Sequence, residues 1–178
     1  MLFRSKSLSY GSSGVGGTGH LAGELFNVMA GTQLVHVPYK GGGPAMVDLV
    51  AGQLQLSYLT YTSSNSFIRG GRLRALGVTT ARRSAALPDM PAIAESIPGY
   101  DSAVWYGVLA PAGTSGEIIA RLNRELLAAL KNNDLRQRLM TEAFEPIGTP
   151  PEELGAYMKS EIARWAKLVK QAGIKPQE

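Results

Sequence analysis

Between Leu8 and Leu21 the chain reads LSYGSSGVGGTGHL: a short apolar entry, a loop of glycines and hydroxyls, then an amphipathic helical pattern. Such a junction points uncapped backbone N–H groups and the positive end of a helix dipole into one concavity, which suits a phosphate or a carboxylate. Anion binding is therefore the first chemistry these residues offer. A second Gly-rich turn, Val37-Pro38-Tyr39-Lys40-Gly41-Gly42-Gly43-Pro44, follows the next strand pattern and opens the next helix. In a parallel sheet it lies at the same carboxyl edge as the first loop. Two neighbouring loops of this kind make a pocket for an anion without a charged side chain.

Other chemistries fit less well. Gly14-Val15-Gly16-Gly17-Thr18-Gly19 matches GxGxxG in the strand-loop-helix context of a dinucleotide fingerprint. The acid that would hold a ribose at the end of the second strand is missing, but Lys40 could meet a 2′-phosphate, so an NADP-dependent Rossmann-type enzyme is the alternative reading. The same stretch is no P-loop, because Gly17 stands where a lysine is needed. The only histidines, His20 and His36, have no HExxH and no carboxylate at ligand spacing, so no metal site is expected. His20 reads as a polar contact at the loop or a first-turn surface residue, His36 as a strand side chain facing a helix. Ser12, Ser13, Ser63, Ser64 and Ser66 lie outside any GxSxG, and their ordinary role is turn and cap chemistry. Binding without turnover and without a cofactor is what the residues favour.

The elements that must position these loops alternate. The pattern predicts strands at Leu8–Gly11, Leu34–Pro38, Leu54–Thr60 and Leu73–Thr79, with helices at Thr18–Ala30, Gly43–Ala51 and Ser63–Arg69 between them. Strict alternation implies an α/β fold with a parallel sheet and right-handed crossovers. Thr18 is expected to N-cap the first helix, Gly31 and Gly52 to close the first and second in left-handed conformations, and Pro44 to occupy a tolerated first-turn position. The stripe of Leu21, Leu25 and Met29, with Phe26 beside it, should face the sheet. From Arg82 to Tyr100 three prolines predict a surface excursion with one short helix. Beyond it the reading is a buried strand at Ala103–Ala110, a turn and cap at PAGTSGE and a helix over Glu117–Lys131 with Ile118, Leu122, Leu126 and Leu130 on one face. A short helix from Asn132-Asn133-Asp134, a possible strand at Phe144–Ile147 and a long helix capped by Thr149-Pro150-Pro151-Glu152 and running to about Gln171 complete the chain.

Composition limits the function classes. With 178 residues the chain is one domain or one and a fraction, and 44% hydrophobic with 18% charged residues marks a packed globular protein. The net charge of +4 is spread along the chain, with small clusters at Arg82-Arg83 and Lys167 to Lys175, so no nucleic acid partner is expected. Zero cysteines exclude disulfides, thiol nucleophiles and Cys-type zinc clusters. The start MLFRSKSLSYGSSG has a basic opening without an apolar stretch after it, and no later run approaches membrane-spanning length, so the expectation is a soluble chain, cytoplasmic if expressed as given.

Five blocks carry a resemblance: GSSGVGGTGHLAGELF, VHVPYKGGGPAMVDLVAGQ, GRLRALGVTTARRSAALPDMPAIAES, WYGVLAPAGT and EIARWAKLVKQAGIK. In order and spacing, from about Leu8 to Lys175, they resemble the tripartite tricarboxylate transporter substrate-binding receptors, the Bug family of periplasmic solute receptors. The resemblance implies a type II periplasmic-binding-protein fold: one parallel-sheet ligand-binding lobe, nearly complete over residues 1–104, and a helix-rich part of the other lobe over 105–178. It implies a small carboxylate ligand, delivery to membrane transporter subunits and a periplasmic location. Carried over residue by residue, it places Ser12, Ser13, Gly14, Val15, Gly16, Thr18, Gly19 and His20 at the ligand loop. Pro38, Tyr39, Lys40 and Gly41 form the neighbouring loop, and the strand end around Tyr58 to Tyr61 a third wall.

The chain departs from that pattern in two respects. It starts where the second lobe of a full receptor starts, so the export signal and the other lobe's ligand loop are expected to be absent and binding impaired. Gln55 stands where the family usually carries an aspartate. Strand edges and apolar helix faces left open by the incomplete lobe are expected to pair with another copy, giving a homo-oligomer. An effector-sensing domain of a transcription regulator shares the fold, but residues 1–7 leave no room for a helix-turn-helix.

Overall fold

A computed structural model describes residues 8–175 of the chain. The readings made on residues 1–7 and 176–178 lie outside the described residues. The first part alternates as the sequence predicts: β1 (Ser9–Ser12), α1 (Thr18–Ala30), β2 (Val35–Pro38), α2 (Gly42–Val50), β3 (Leu56–Ser57) and α3 (Tyr61–Arg69). The three strands form a parallel sheet in the order β2-β1-β3. Tyr10 pairs in register with His36 on one side and Leu56 on the other.

β1 is the axis of the core because its side chains alternate between two covered faces. Tyr10 is fully buried against α1, whereas a side chain at Gly11 would run into Leu54 and Ala45 on the α2 face. Leu34, Ala45, Met46 and Leu54 complete this core. β3 is shorter than the expected Leu54–Thr60 strand, and it is tied to β1 by Gln55, whose Oε1 accepts from Ser9 N and Ser9 Oγ, both at 2.9 Å. Asn27 on α1 fixes the entry to β2, its Oδ1 accepting from Leu34 N at 2.8 Å and its Nδ2 donating to Leu34 O at 3.1 Å.

α1 has the predicted bounds but not the predicted face. Its buried residues are Gly19, His20, Ala22 and Gly23, while Leu21, Leu25 and Met29 are only half-buried beside them. Small residues win because the helix lies very close to the sheet: a Cβ at Gly23 would enter the Tyr10 ring, and one at Gly19 would meet the Tyr58 carbonyl oxygen at 2.6 Å. The N-cap is Gly17 without a side-chain cap, correcting the role expected of Thr18. Gly31 does close α1 in the left-handed region at φ 64°, and Gly52 follows α2 at φ 76°.

The fourth expected strand, Leu73–Thr79, does not form. Val78 makes an isolated parallel bridge with Ala92, next to a short 3-10 turn at Ile93–Glu95, and Ser102 N donates to Thr79 O at 2.7 Å. The second part is helical: α4 (Gly116–Leu130), α5 (Asn133–Thr141) and α6 (Pro151–Gln171), with Ser115 and Asn132 as side-chain N-caps of the first two. α6 packs against α1, joining the two parts. Neither Ala103–Ala110 nor Phe144–Ile147 is a strand. The first of these has no regular secondary structure, with Tyr106, Val108 and Leu109 each about 70% exposed (73%, 68% and 69%), not the buried strand expected. The physical reason is that no described strand lies beside it to complete a ladder. Ile118, Leu122 and Leu126 on α4 also face outward uncovered. No helix among the described residues is long and apolar enough to cross a membrane.

Candidate functional site: the carboxyl edge of the sheet

Parallel strands bring their carboxyl ends, and the N-termini of the helices that follow, to one edge. Here that edge gathers the β1–α1 loop (13–17), the β2–α2 loop (39–41) and the β3–α3 loop (58–60). β1 connects to β2 on one side and has β3 on its other side, so the chain order reverses at β1. A ligand crevice in an open α/β sheet lies outside such a reversal point. The same order removes the NADP reading: in a dinucleotide half the third strand follows on beyond the second, whereas here it crosses back to the far side of β1.

The loop after β1 is held from within. Gly14 N donates to Ser12 Oγ at 3.2 Å, Gly17 N to Gly14 O at 3.3 Å and Gly16 N to His20 Nδ1 at 2.9 Å. Left-handed backbone at Gly14 (φ 144°) and Gly16 (φ 76°) makes the tight turn possible. The amides of Gly14, Gly16 and Gly17 are thus committed to the loop itself. The amides of the first turn of α1, at Thr18, Gly19 and His20, have no partner within the helix and lie at this edge. Ser13, Gly16 and Thr18 are exposed, and Val15 is half-buried.

Under the loop lies a polar cluster. Ser12 is fully buried, and its Oγ is 2.6 Å from His36 Nε2 and 3.0 Å from Gly14 O. That spacing would serve a nucleophile and its base, but a hydroxyl sealed from solvent reaches no substrate. The imidazole of His20, itself buried, stacks on that of His36. Tyr10 completes the group, its hydroxyl donating to Glu24 Oε1 at 2.7 Å. Burial, then the neighbouring His20, pulls His36 down to about 4, and burial lowers His20 against the opposing pull of Glu24. Both rings are therefore neutral near pH 7. His20 is thus the polar contact at the loop and not a surface residue, and His36 faces α1 as its strand position implied.

The other two loops contribute differently. Tyr39 N donates to Ser12 O and Gly41 N to Ser13 O, both at 3.0 Å, so these amides clamp the second loop to the first. The Tyr39 hydroxyl donates to Asp48 Oδ2 at 2.6 Å, which raises its pKa and turns it back onto α2. Pro38 and Lys40 are exposed. In the third wall the Tyr58 ring packs edge-on to Tyr10, inward from the crevice, while Tyr61 begins α3. A cavity of about 40 Å³ lies between α1 and this wall, lined by Thr18, Gly19, Tyr58, Thr60, Thr79 and Ser102 among others. It has room for about one water molecule. Thr60 lies within the strand end assigned to the third wall, whereas Thr79 and Ser102 carry no motif that would have marked them.

Comparison with known proteins places this geometry. Residues 4–174 match the family described as tripartite tricarboxylate transporter family receptor, TctC. A Pseudomonas sp. (strain P51) protein from the tcbD-tcbE intergenic region is 41% identical over 91% of this chain and 49% of its own length. A Pseudomonas knackmussii protein from the clcB-clcD intergenic region is 37% identical, with 88% of this chain aligned to 94% of its length. Among solved structures, an R. palustris protein solved with adipate superposes with a TM-score of 0.85 at 41% identity, covering 96% of this chain and 57% of that one. The periplasmic binding protein BugD superposes with a TM-score of 0.80 at 33% identity, over 96% of this chain and 58% of its own. The fold is therefore that of a periplasmic binding protein, one lobe with part of a second. The chain spans about half the length of the strain P51 relative (49%).

Proposed function

The chain belongs to the tripartite tricarboxylate transporter receptor family, and we propose that it carries the carboxylate-binding lobe of such a receptor, holding its ligand without turning it over. The family is one of solute-binding receptors, not of enzymes. The observation that carries the reading is the crevice beside β1, where the first turn of α1 and the start of α3 open onto the same carboxyl edge. The helix dipole and the first-turn amides favour a carboxylate there. Exposed hydroxyls of Ser13 and Thr18 and the turn at Val15 and Gly16 shape the approach, with Lys40 at the neighbouring rim. Adipate, the ligand of the R. palustris relative, is the first ligand to offer.

The binding lobe is residues 1–104, and residues 105–178 are the helix-rich part of the other lobe. A full receptor buries most of its ligand between two lobes. If one lobe supplies half of the roughly −8 kcal/mol of a micromolar receptor, about −4 kcal/mol remains, a millimolar Kd. NMR titration with adipate should therefore shift the amides of residues 13–20 with a Kd of about 1 mM, while NADPH leaves them unmoved. Saturable NADPH binding with adipate silent would overturn the reading.

The intact receptor is periplasmic and hands its ligand to the membrane subunits of a tripartite transporter. In this chain the uncovered apolar surface at 104–110 and on α4 supports pairing with a second copy. Light scattering after gel filtration at micromolar concentration should give about twice the mass of one chain. A stable monomer would end that part of the proposal.

A further inference from the structure

The buried imidazole of His20 has a task that ligand contact does not explain. Its Nδ1 accepts from Gly16 N at 2.9 Å, so that nitrogen carries no proton and the ring, when neutral, holds its proton on Nε2. Its flat face lies on the ring of His36, which is in turn hydrogen-bonded to Ser12. The chain of contacts thus runs from Gly16 through both rings back to the residue that opens the loop. The only other charged or titratable groups facing the pair are Glu24 on α1 and Tyr10 on β1, among the described residues.

We propose that His20 is the positioning residue of the ligand loop: its neutral Nδ1 captures the Gly16 amide, which sets the turn at Gly14–Gly17 and leaves the first-turn amides of α1 pointing outward for a carboxylate. This rests on the receptor reading. Protonation of Nδ1 would set a donor against the Gly16 N–H, destroying the bond that fixes the turn. Among the described residues Glu24 is the one carboxylate acting on His20, and its Oε1 is already bonded to the Tyr10 hydroxyl. It therefore offers a counter-charge to the ring but not a substitute acceptor for Gly16.

Two substitutions separate positioning from bulk stability. In His20→Asn the side-chain oxygen takes the place of Nδ1 and does not titrate; in His20→Ala no acceptor remains. Amide hydrogen exchange by NMR should show Gly16 protected in the parent and in His20→Asn, and at least tenfold less protected in His20→Ala. Adipate affinity should fall at least fivefold in His20→Ala and recover to within twofold in His20→Asn. As the pH is lowered below the usual imidazole value of 6.5, Gly16 protection, taken relative to the amides of β1, should fade in the parent and persist in His20→Asn. Unchanged Gly16 protection in His20→Ala, or failure of His20→Asn to restore it, overturns the proposal. If adipate binds none of the three proteins, the receptor reading falls, and the Gly16 measurements alone still decide whether His20 positions the loop.

Discussion

The imidazoles of His20 and His36 lie face to face, their centroids 3.8 Å apart and their planes 13° from parallel. One belongs to the first turn of α1 and the other to the middle of β2, so the contact exists only once β1, α1 and β2 have come together. Neutral rings stack favourably, whereas two protonated ones would repel at this distance.

That relationship makes stability depend on acid in a defined window. His36 takes a proton at its usual 6.5 when unfolded but only at about 4 when folded. Between those values the unfolded state binds more protons, so stability must fall as the pH drops from about 6.5 to 4 and then stop responding to this group. The loss at pH 5 is about 2 kcal/mol from His36 alone. Urea unfolding at pH 7 and pH 5 should show at least that difference, and His36→Gln should reduce it, leaving the part that His20 contributes. An equal loss in His36→Gln would assign the acid response elsewhere; Glu95, held down to about 2 by Arg83, gives up its contribution only as the pH falls below the usual carboxylate value of 4.5, and so adds little between pH 7 and pH 5.

The glycines of two helices should respond to alanine in opposite directions. In an open helix position Gly→Ala gains about 0.5–1 kcal/mol, and at Gly155 on α6 a Cβ would meet nothing within 4 Å. At Gly23 it would enter the Tyr10 ring, a rigid group anchored by Glu24. Overpacking of that kind costs about 1–3 kcal/mol. Thermal unfolding should therefore rise for Gly155→Ala and fall for Gly23→Ala; a rise in both would mean that α1 lies farther from the sheet.

How much of this was legible follows from where the signal resides. The bounds of α1 and the far end of α6 could be read because caps, glycines and periodicity act within a few residues. The buried face of α1 could not, because the large apolar side chains Leu21, Leu25 and Met29 outweigh Gly19, Ala22 and Gly23 in any hydrophobic count, although closeness to the sheet selects the small ones. Ser12, His20 and His36 stood in the sequence as separate polar residues, and only the register of β1 with β2 assembles them. The run at 103–110 reads as a buried strand because its composition presumes a neighbour, and none of the described strands provides one.

Asn27 illustrates a contact that sequence pattern passes over. Its side chain accepts from Leu34 N and from Thr32 Oγ1 and donates to Leu34 O, serving as the splice between α1 and β2. Leu34 itself is buried, so Asn27→Ala leaves its backbone groups short of partners where water enters poorly. Each such group costs about 1–3 kcal/mol, and a loss of at least 2 kcal/mol is expected in urea unfolding. A change below 0.5 kcal/mol would mean that water replaces the side chain freely.

The outward-facing apolar run provides the test that links fold to assembly. Val108 and Leu109 are 68% and 69% exposed, so in a single chain they contribute little burial, and replacing both with aspartate should change the unfolding free energy of the isolated chain by less than about 0.5 kcal/mol. In a paired assembly the same two side chains lose their exposure, and each then contributes about 1.5–3 kcal/mol to association. Charges placed there would have to be desolvated on pairing, which adds to the penalty. If the parent pairs as proposed, the double variant should elute as a monomer at concentrations where the parent elutes as a dimer, with circular dichroism unchanged. Loss of helical signal in the variant would instead show that residues 104–110 are needed for folding of the chain itself, and the pairing surface would then have to be sought on α4.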